Sequence, residues 1–365
     1  MNERQGHARI IVESLDVLDS LSPGVRDRLA ASGARKDDPF ARLDWFATHA
    51  AHPPPGMDPR FYLARTEQGA QMLLPFWVDR RRRRLFAMTS VYSLGYAPLF
   101  SAADDDGQGR EARDLLFAIA RHVLAERPRW HRIEIPILTQ SAQDIDALIA
   151  ALGAQGLGGY RYLRGVNHQC PIEGEDFEGW YAARPSRLRN TIRRRERKLR
   201  EQHEVAFEIS STPGPGLWQD YRTVYAASWK EPERTPDLFD ALMRTLAHAG
   251  LLRLGILRCD QRPVAAQIWI RSGPRAIIYK LAHDSAFDAA SPGSLLTREM
   301  ARAILGEGGV ALIDFGLGDE PYKRDWMSGT RPLHGLVLYN RKSLAGWLAH
   351  GTRRLTAAIR RPAGS

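Results

Sequence analysis

Two stretches of this sequence combine residue types and spacing that chemistry needs. The first is Ser291-Pro292-Gly293-Ser294-Leu295-Leu296. Serine is a favoured helix N-cap, and proline suits the first helical position because it has no N–H to leave unpaired. The N–H groups of Gly293, Ser294 and Leu295 would then point out of the helix start, where the macrodipole favours an anion. Gly293 leaves room for close backbone approach, so the stretch is a candidate phosphate site. It lacks a Gly-x-Gly-x-x-Gly turn closing a βαβ unit, which disfavours a dinucleotide fold. The second stretch runs from Asp314 to Trp326 and holds two glycines, a proline and six charged residues in thirteen positions. It begins at the end of an apolar strand, where loops of α/β domains hold ligands. Asp314 as a strand cap and a surface pair of Lys323 with Asp319 or Glu320 would be the structural alternatives. The density of titratable groups beside the strand favours a site.

A third candidate is the basic stretch from Ser186 to Leu199. Leu188, Ile192 and Leu199 share one helical face, and Glu196 with Arg200 and Arg197 with Glu201 are spaced for i,i+4 pairs. The stretch carries more arginine than those pairs use, and Arg195 falls on the apolar stripe. A guanidinium there asks for a carboxylate or phosphate to fork onto, and ligand and structural roles stand level.

The elements that position these residues read as mixed α/β. In the first half, 61–64, 72–78, 85–89 and 130–137 have strand patterns, and 110–126 and 144–152 have helical ones. The glycines at 153, 156, 158 and 159 mark a turn-rich stretch before a strand at 160–163, and 171–176 is a linker candidate. In the second half, Leu217 to Trp229 and Leu238 to Leu246 repeat at helical spacing. Strands follow at 251–258, 264–270 and 276–282, then a helix from Ser294 to about Leu305 and a buried-type strand at 310–315. The order helix, short turn, apolar strand occurs twice, at 110–137 and 294–315, a signal of internal duplication. The expected division is a first α/β domain at 1–170, a linker and basic bridging helix at 171–205, a second domain at 206–340 and a basic helical tail at 341–365.

Charge and composition limit the partners. The 365 residues carry 52 Lys and Arg against 42 Asp and Glu, a net +10, which suggests a polyanionic partner or an acidic ligand. The excess is local. Arg80 to Arg84 is five arginines, Arg184 to Glu204 has nine basic and three acidic residues, and Arg341 to Ser365 has six basic and no acidic residues. The first reads as the solvated tip of a hairpin. The last, with Leu344, Trp347, Leu348 and Leu355 at helical intervals, reads as a packing helix with solvated basic faces. Cys170 and Cys259 stand far apart with no Cys or His at ligand spacing, against a disulfide framework, a zinc site or a redox pair. The absence of an apolar leader or long apolar run points to a cytoplasmic protein without membrane insertion.

Arg187 through Leu199, Pro263-Val264-Ala265-Ala266-Gln267, Ser291 through Leu296, Asp314-Phe315-Gly316 and Gly318 through Lys323 resemble, in order and spacing, motifs of one family. These are the GNAT-superfamily acyltransferases associated with cellulose biosynthesis (CelD/BcsL-like), relatives of the Fem-type peptidyl transferases. Trp45 and the strands after Phe61 are in keeping with that family's first domain. Ser-Pro-Gly-Ser stands where the usual phosphate loop has Gln/Arg-x-x-Gly-x-Gly/Ala. The resemblance implies an α/β (α+β) fold of two tandem GNAT-like domains, each a mixed sheet flanked by helices. It also implies acetyl-CoA or another acyl-CoA as co-substrate with no metal, and a sugar or amino-acid derivative as acceptor.

On that resemblance, the strand with Ala266, Gln267, Ile268 and Trp269 would splay from its neighbour at 276–282 and bind the pantetheine arm. Ser291, Pro292, Gly293, Ser294 and Leu295 would hold the pyrophosphate. Direct transfer to an amine needs a base and a proton donor for the departing thiolate. His283 or Glu320 are candidates for the base and Tyr322 for the donor, with Lys323 stabilising charge or binding an acidic acceptor and Asp314 beside them. Arg187, Arg189, Arg195 and Asp319 are candidates for substrate binding. Two other readings stay open: an aminoacyl-tRNA-dependent transferase whose basic helix meets RNA, and a nucleic-acid-binding protein without catalysis. Nucleic acid is the less favoured partner, because the arginine helix has no interleaved aromatics for base stacking.

Overall fold

A computed structural model of the chain describes residues 9–35, 38–103 and 108–359. They form two compact units. The first takes the chain up to Arg35, Phe40–Arg164 and the chain from Leu333 onward; the second takes Gly165–Pro332 with residues 38 and 39.

The first unit contains β1 (Ile10–Leu15), α1 (Pro23–Arg35), α2 (Leu43–Ala50), β2 (Asp58–Thr66), β3 (Gln71–Asp79), β4 (Arg84–Ala87), β5 (Leu99–Ser101), α3 (Gln108–Ala125), β6 (Arg132–Leu138), α4 (Ala142–Gln155) and the start of β7 (Leu157–Pro171). Every residue of β3 is buried, as its unbroken apolar run requires of a strand covered on both faces. It pairs antiparallel with β2 and β4, and the exposed Arg80–Arg83 turn joins β3 to β4. The arginine run is therefore the hairpin tip expected of it. Leu115, Ile119 and Val123 of α3 pack with Tyr62, Met72 and Phe76 of the sheet. This helix crosses over to β6, which runs parallel to β4 through three pairs, Arg84 with Arg132 to Phe86 with Glu134.

The second unit continues with α5 (Phe177–Ala182), α6 (Ser186–Gln202), β8 (Val205–Ser210), α7 (Pro215–Ala226), α8 (Pro236–His248), β9 (Leu252–Cys259), β10 (Arg262–Ser272), β11 (Arg275–His283), α9 (Pro292–Gly306), β12 (Leu312–Leu317), α10 (Pro321–Trp326) and the start of β13 (Gly329–Asn340); α11 (Leu344–Ile359) follows in the first unit. The sheet order in the second unit is β8-β9-β10-β11-β12-β7. Two antiparallel hairpins, β9–β10–β11, are followed by the crossover helix α9 and by β12. This strand runs parallel to β11 through three pairs, Arg275 with Leu312 to Ile277 with Asp314. The path β2-β3-β4-α3-β6 thus recurs as β9-β10-β11-α9-β12.

The units part the chain at 164/165, close to the expected 170, and at 332/333, ahead of the expected 340. Composition marks the polar stretch 171–176, but β7 is one unbroken strand through the boundary. Helix α6 is not a bridge between domains. It lies within the second unit, with Ile192 and Leu199 in the core beside Trp180, Leu295 and Met300.

Candidate active site

The β11–β12 ladder stops after three pairs, although both strands continue. β11 runs on to His283, held on its other side by β10 through the pair Ala265–His283. β12 runs on to Leu317, which pairs with Asn167 of β7. Two strands joined at one end and held apart at the other leave a wedge, and α9 begins at its mouth. A cavity of about 440 Å³ fills it. Its walls are Leu281 and His283 of β11, Phe315 of β12, Tyr322 and Trp326 of α10, Ser291, Gly293, Ser294 and Thr297 at the start of α9, Ser285 and Asp288 from the preceding turn, and Trp229 and Lys230 from the loop after α7.

The helix start differs from its expected form in detail. Ser291 is the N-cap in a left-handed conformation (φ 49°), and its side chain caps nothing. Its carbonyl instead accepts from the N–H groups of Ser294 (3.0 Å) and Leu295 (3.2 Å), so two of the three expected donors close the first turn. Gly293 N–H has no partner among the described residues. Pro292 and Leu295 are buried and anchor the helix, leaving Ser291, Gly293 and Ser294 on the cavity. Small residues, one free N–H and the positive end of a fifteen-residue helix fit a phosphate group.

His283 and Tyr322 line this space as candidate proton carriers. His283 Nε2 lies 2.8 Å from Asp288 Oδ1, and its ring centroid is 4.6 Å from that of Trp229. Tyr322 packs edge-on to Phe315, with centroids 5.6 Å apart. It keeps 48% of its surface exposed, yet partial desolvation and then the charge of Glu320 push its phenol up to about 12. At neutral pH it is a proton donor. Lys230 is the reverse case: burial, and then the charge of Lys280, push its ammonium down to about 8.

Residues 186–324 match the acetyltransferase (GNAT) domain family. Solved structures extend the likeness over both units. FemX has a TM-score of 0.61 at 13% identity, covering 93% of this chain and 100% of that one. A tandem GNAT protein from the clavulanic acid biosynthesis pathway has a TM-score of 0.51 at 12% identity, covering 90% and 98%. L-PGS from Bacillus licheniformis has a TM-score of 0.51 at 13% identity, covering 92% and 97%. No curated protein matches the chain. The fold is a GNAT fold of the tandem kind.

Within the GNAT domain, the strand expected to splay is not the one that does. β10 is paired with β9 from Arg262 to Ile270 and with β11 from Ala265 to Ser272. Ala266, Gln267, Ile268 and Trp269 are fully buried, and none lines the cavity. The opening lies one strand further on, because only the parallel partner of β11 departs. Gln267 serves the site from behind. Its Nε2 donates to Gly293 O and Thr297 Oγ1, both at 2.8 Å, while its Oε1 accepts from Trp269 Nε1 at 2.9 Å. These bonds tie the first turn of α9 to the sheet.

Most of the charged candidates brace the GNAT domain and do not enter its cavity. Asp314 is fully buried and accepts from Arg275 Nε (3.1 Å), Asn167 Nδ2 (2.5 Å) and Gly316 N–H (2.7 Å). Lys323, 3% exposed, donates to Leu317 O at 2.9 Å and pairs with Glu320 at 2.8 Å. Burial opposes the Glu320 charge, but Lys323 wins and holds that carboxyl below its ordinary value. Gly318 beside it sits at φ 126°, a conformation that L side chains rarely adopt. Asp319 bonds His168 at 2.8 Å and Arg324 at 3.0 Å, which hold it below the usual carboxylate range. Together these contacts fix the loop that presents Tyr322.

The three arginines of α6 do not reach the cavity. Arg187 is exposed, and Arg189 Nε donates to Arg184 O at 3.1 Å. The forked ion pairs expected at Arg195 form at Glu196 instead, with Arg298 at 2.6 Å and Arg200 at 3.0 Å. Trp229 and Lys230 escaped sequence reasoning because their periodicity continues that of α7. The helix ends at Ala226, so Trp229 stands 61% exposed over His283 and is not core. A lone lysine beside an aromatic in the stretch Ser228-Trp229-Lys230-Glu231-Pro232 was the available signal. Among the described residues no group of three or more His, Cys, Asp or Glu could hold a metal, and no helix is long and apolar enough to cross a membrane.

Proposed function

We propose that this protein is an acyl-CoA-dependent N-acyltransferase of the GNAT type. It moves an acyl group, acetyl in the simplest case, to an amine or hydroxyl of a saccharide, amino acid or similar small acceptor by direct transfer. The observation that carries this reading is the wedge between β11 and β12, opening onto an unpaired N–H at the start of α9. The start of α9 would take the pyrophosphate, and the edge of β11 beyond Ile277, where its ladder to β12 has stopped, would hydrogen-bond the pantetheine arm and polarise the thioester carbonyl. Asp288 holds the His283 ring through Nε2, and His283 is the group that would take the proton, through an intervening water, as the acceptor amine attacks. As the C–S bond breaks, the Tyr322 hydroxyl gives its proton to the departing thiolate, and the phenolate is reprotonated from solvent. Lys230 lies where it would meet an anionic group on the acceptor. The resemblance to CelD/BcsL-like enzymes is in keeping with a sugar or amino-acid derivative as the acceptor, and we place the reaction in the cytoplasm.

Thermal-shift and calorimetric titration with acetyl-CoA and longer acyl-CoAs tests the donor, and thiol release with a panel of amines tests the reaction. Saturable stabilisation by a CoA ester supports the reading. Its absence with every ester overturns it. One observation favours a second reading, a Fem-like aminoacyl-tRNA-dependent transferase: Arg187, Arg193, Arg194 and Lys198 of α6 carry no ion pair among the described residues. That reading requires tRNA binding that weakens steeply with salt. Nucleic-acid binding with no transfer from any donor would instead indicate a non-catalytic binding protein.

A further inference from the structure

Helix α11 is oriented opposite to an ordinary core helix. The residues it turns to the first unit are small or polar: Ser343 and Gly346 are buried, and Ala349 and His350 half-buried. The approach is close, since a Cβ on Gly346 would lie 2.3 Å from Asn340 O and 2.8 Å from His131 O. Ser343 fixes the start of the helix, its Oγ accepting from Gly346 N–H at 3.1 Å and its carbonyl from Trp347 N–H at 2.9 Å. The large apolar side chains point away: Leu344 is 75% exposed, Trp347 58% and Leu348 51%. The sequence-based expectation that these residues pack is thus reversed, and Leu355 lies outside the described side chains.

The spacing i, i+3, i+4 puts the three on one stripe, and the sequence continues it with Leu355 and Ile359. Exposed Arg341, which donates to Gly153 O, and exposed Lys342 stand at its head. The segment from Arg341 to Ser365 has six basic residues and no acidic one. An exposed apolar stripe with a tryptophan, in a segment whose only charged residues are cations, suits a helix lying in a bilayer interface.

We propose that α11 docks the protein on an anionic membrane surface, laying Leu344, Trp347 and Leu348 among the acyl chains while the flanking cations meet lipid phosphates. Charge decides the occupant. A second copy seated on this face by two-fold symmetry would oppose two segments of like charge, whereas an anionic lipid surface attracts every one of them. This proposal stands apart from the acyltransferase reading, since α11 contributes nothing to the cavity.

The test is co-sedimentation of the full chain with phosphatidylcholine vesicles made with and without phosphatidylglycerol. Binding to the anionic vesicles is expected to exceed that to neutral ones by at least about tenfold and to weaken with added salt. The variant Leu344→Ser/Trp347→Ser/Leu348→Ser loses that binding at unchanged Tm, because none of the three supports the core. Should it fail to fold, Arg341→Gln/Lys342→Gln carries the same test through the charge, with binding expected to fall severalfold. Equal binding to both vesicles, no binding, or undiminished binding by a folded variant overturns the proposal. So does a concentration-dependent dimer that the triple variant abolishes, which would make a second copy the occupant.

Discussion

Gly293→Glu separates binding from folding. The residue is helical with an ordinary negative φ, and a Cβ there would approach only His283 Nδ1, at 3.4 Å, an ordinary van der Waals contact. The first turn of α9 carries no acidic residue, so a glutamate there gains from the macrodipole, by about 0.3–1 kcal/mol, and from better helix propensity than glycine. The variant should therefore melt at or slightly above the wild-type Tm. Binding should go the other way. A carboxylate about 5 Å from a phosphate charge, at an effective dielectric near 20, costs roughly 3 kcal/mol for each pair of unit charges. This corresponds to roughly a hundredfold or greater rise in Kd for CoA. Gly293→Ala adds only the ordinary contact and should bind within a few-fold of wild type. Isothermal titration of CoA, with melting curves on the same samples, gives both quantities. A folded Gly293→Glu protein that binds CoA within about threefold of wild type would refute the assignment of the α9 start to phosphate.

Tyr322→Phe should lower kcat by roughly a hundredfold, leaving KM for the donor and Tm nearly unchanged, because the lost group is a proton donor on a half-exposed ring. An unchanged kcat in steady-state assays would remove Tyr322 from the mechanism. Lys230 predicts a pH effect. Its ammonium is held at about 8 in the folded protein against 10.5 in the unfolded chain, so the unfolded state binds the proton more tightly and stability rises with pH across that interval. Lys230→Met should be more stable than wild type at pH 7, by about 1 kcal/mol after solvent screening, with the gain fading above pH ~10. Denaturant titrations at the two pH values check this, and a gain that grows with pH would contradict it. Asp314→Ala should cost about 3 kcal/mol, since it removes a fully buried carboxylate that the half-buried Arg275 guanidinium, Asn167 and the Gly316 N–H all use. A loss under about 1 kcal/mol, read from the urea midpoint, would show that the pair is not structural.

Much of the fold was legible because periodicity and punctuation agreed. The unbroken apolar run of β3, the Arg80–Arg83 tip, the Pro292 helix start and the twice-repeated order of helix, turn and strand each follow from local rules. The candidate site was legible only in part, and the errors share a cause. Sequence shows which residues are polar but not how many acceptors surround them. Asp314, Asp319, Glu320 and Lys323 looked like a reactive cluster, yet each spends its charge on a structural partner. Strand identity failed for a related reason: β10 and β11 are both apolar, and which one loses its neighbour depends on the length of a parallel ladder. Trp347 and Leu348 have the spacing of a packing stripe, and spacing cannot tell which side of a helix meets the protein.

The repeated path also explains why the wedge belongs to the second unit. Each copy has the same three-pair parallel ladder, but the strands leaving the ladders differ. β11 continues for six residues past Ile277, with β10 beside it throughout, and this extension forms one wall of the cavity. β4 ends one residue past Phe86. The chain beyond it turns back over β3, where Met88 N–H donates to Pro75 O at 3.1 Å and Tyr96 OH donates to the same carbonyl at 2.7 Å. Tyr96 also packs on Phe46 and Phe76, and Tyr92 is equally buried. A strand drawn into its own core has no free edge to offer a pantetheine arm. Ligand binding in the first unit would require unpacking Tyr96, whereas in the second unit β11 has already parted from β12.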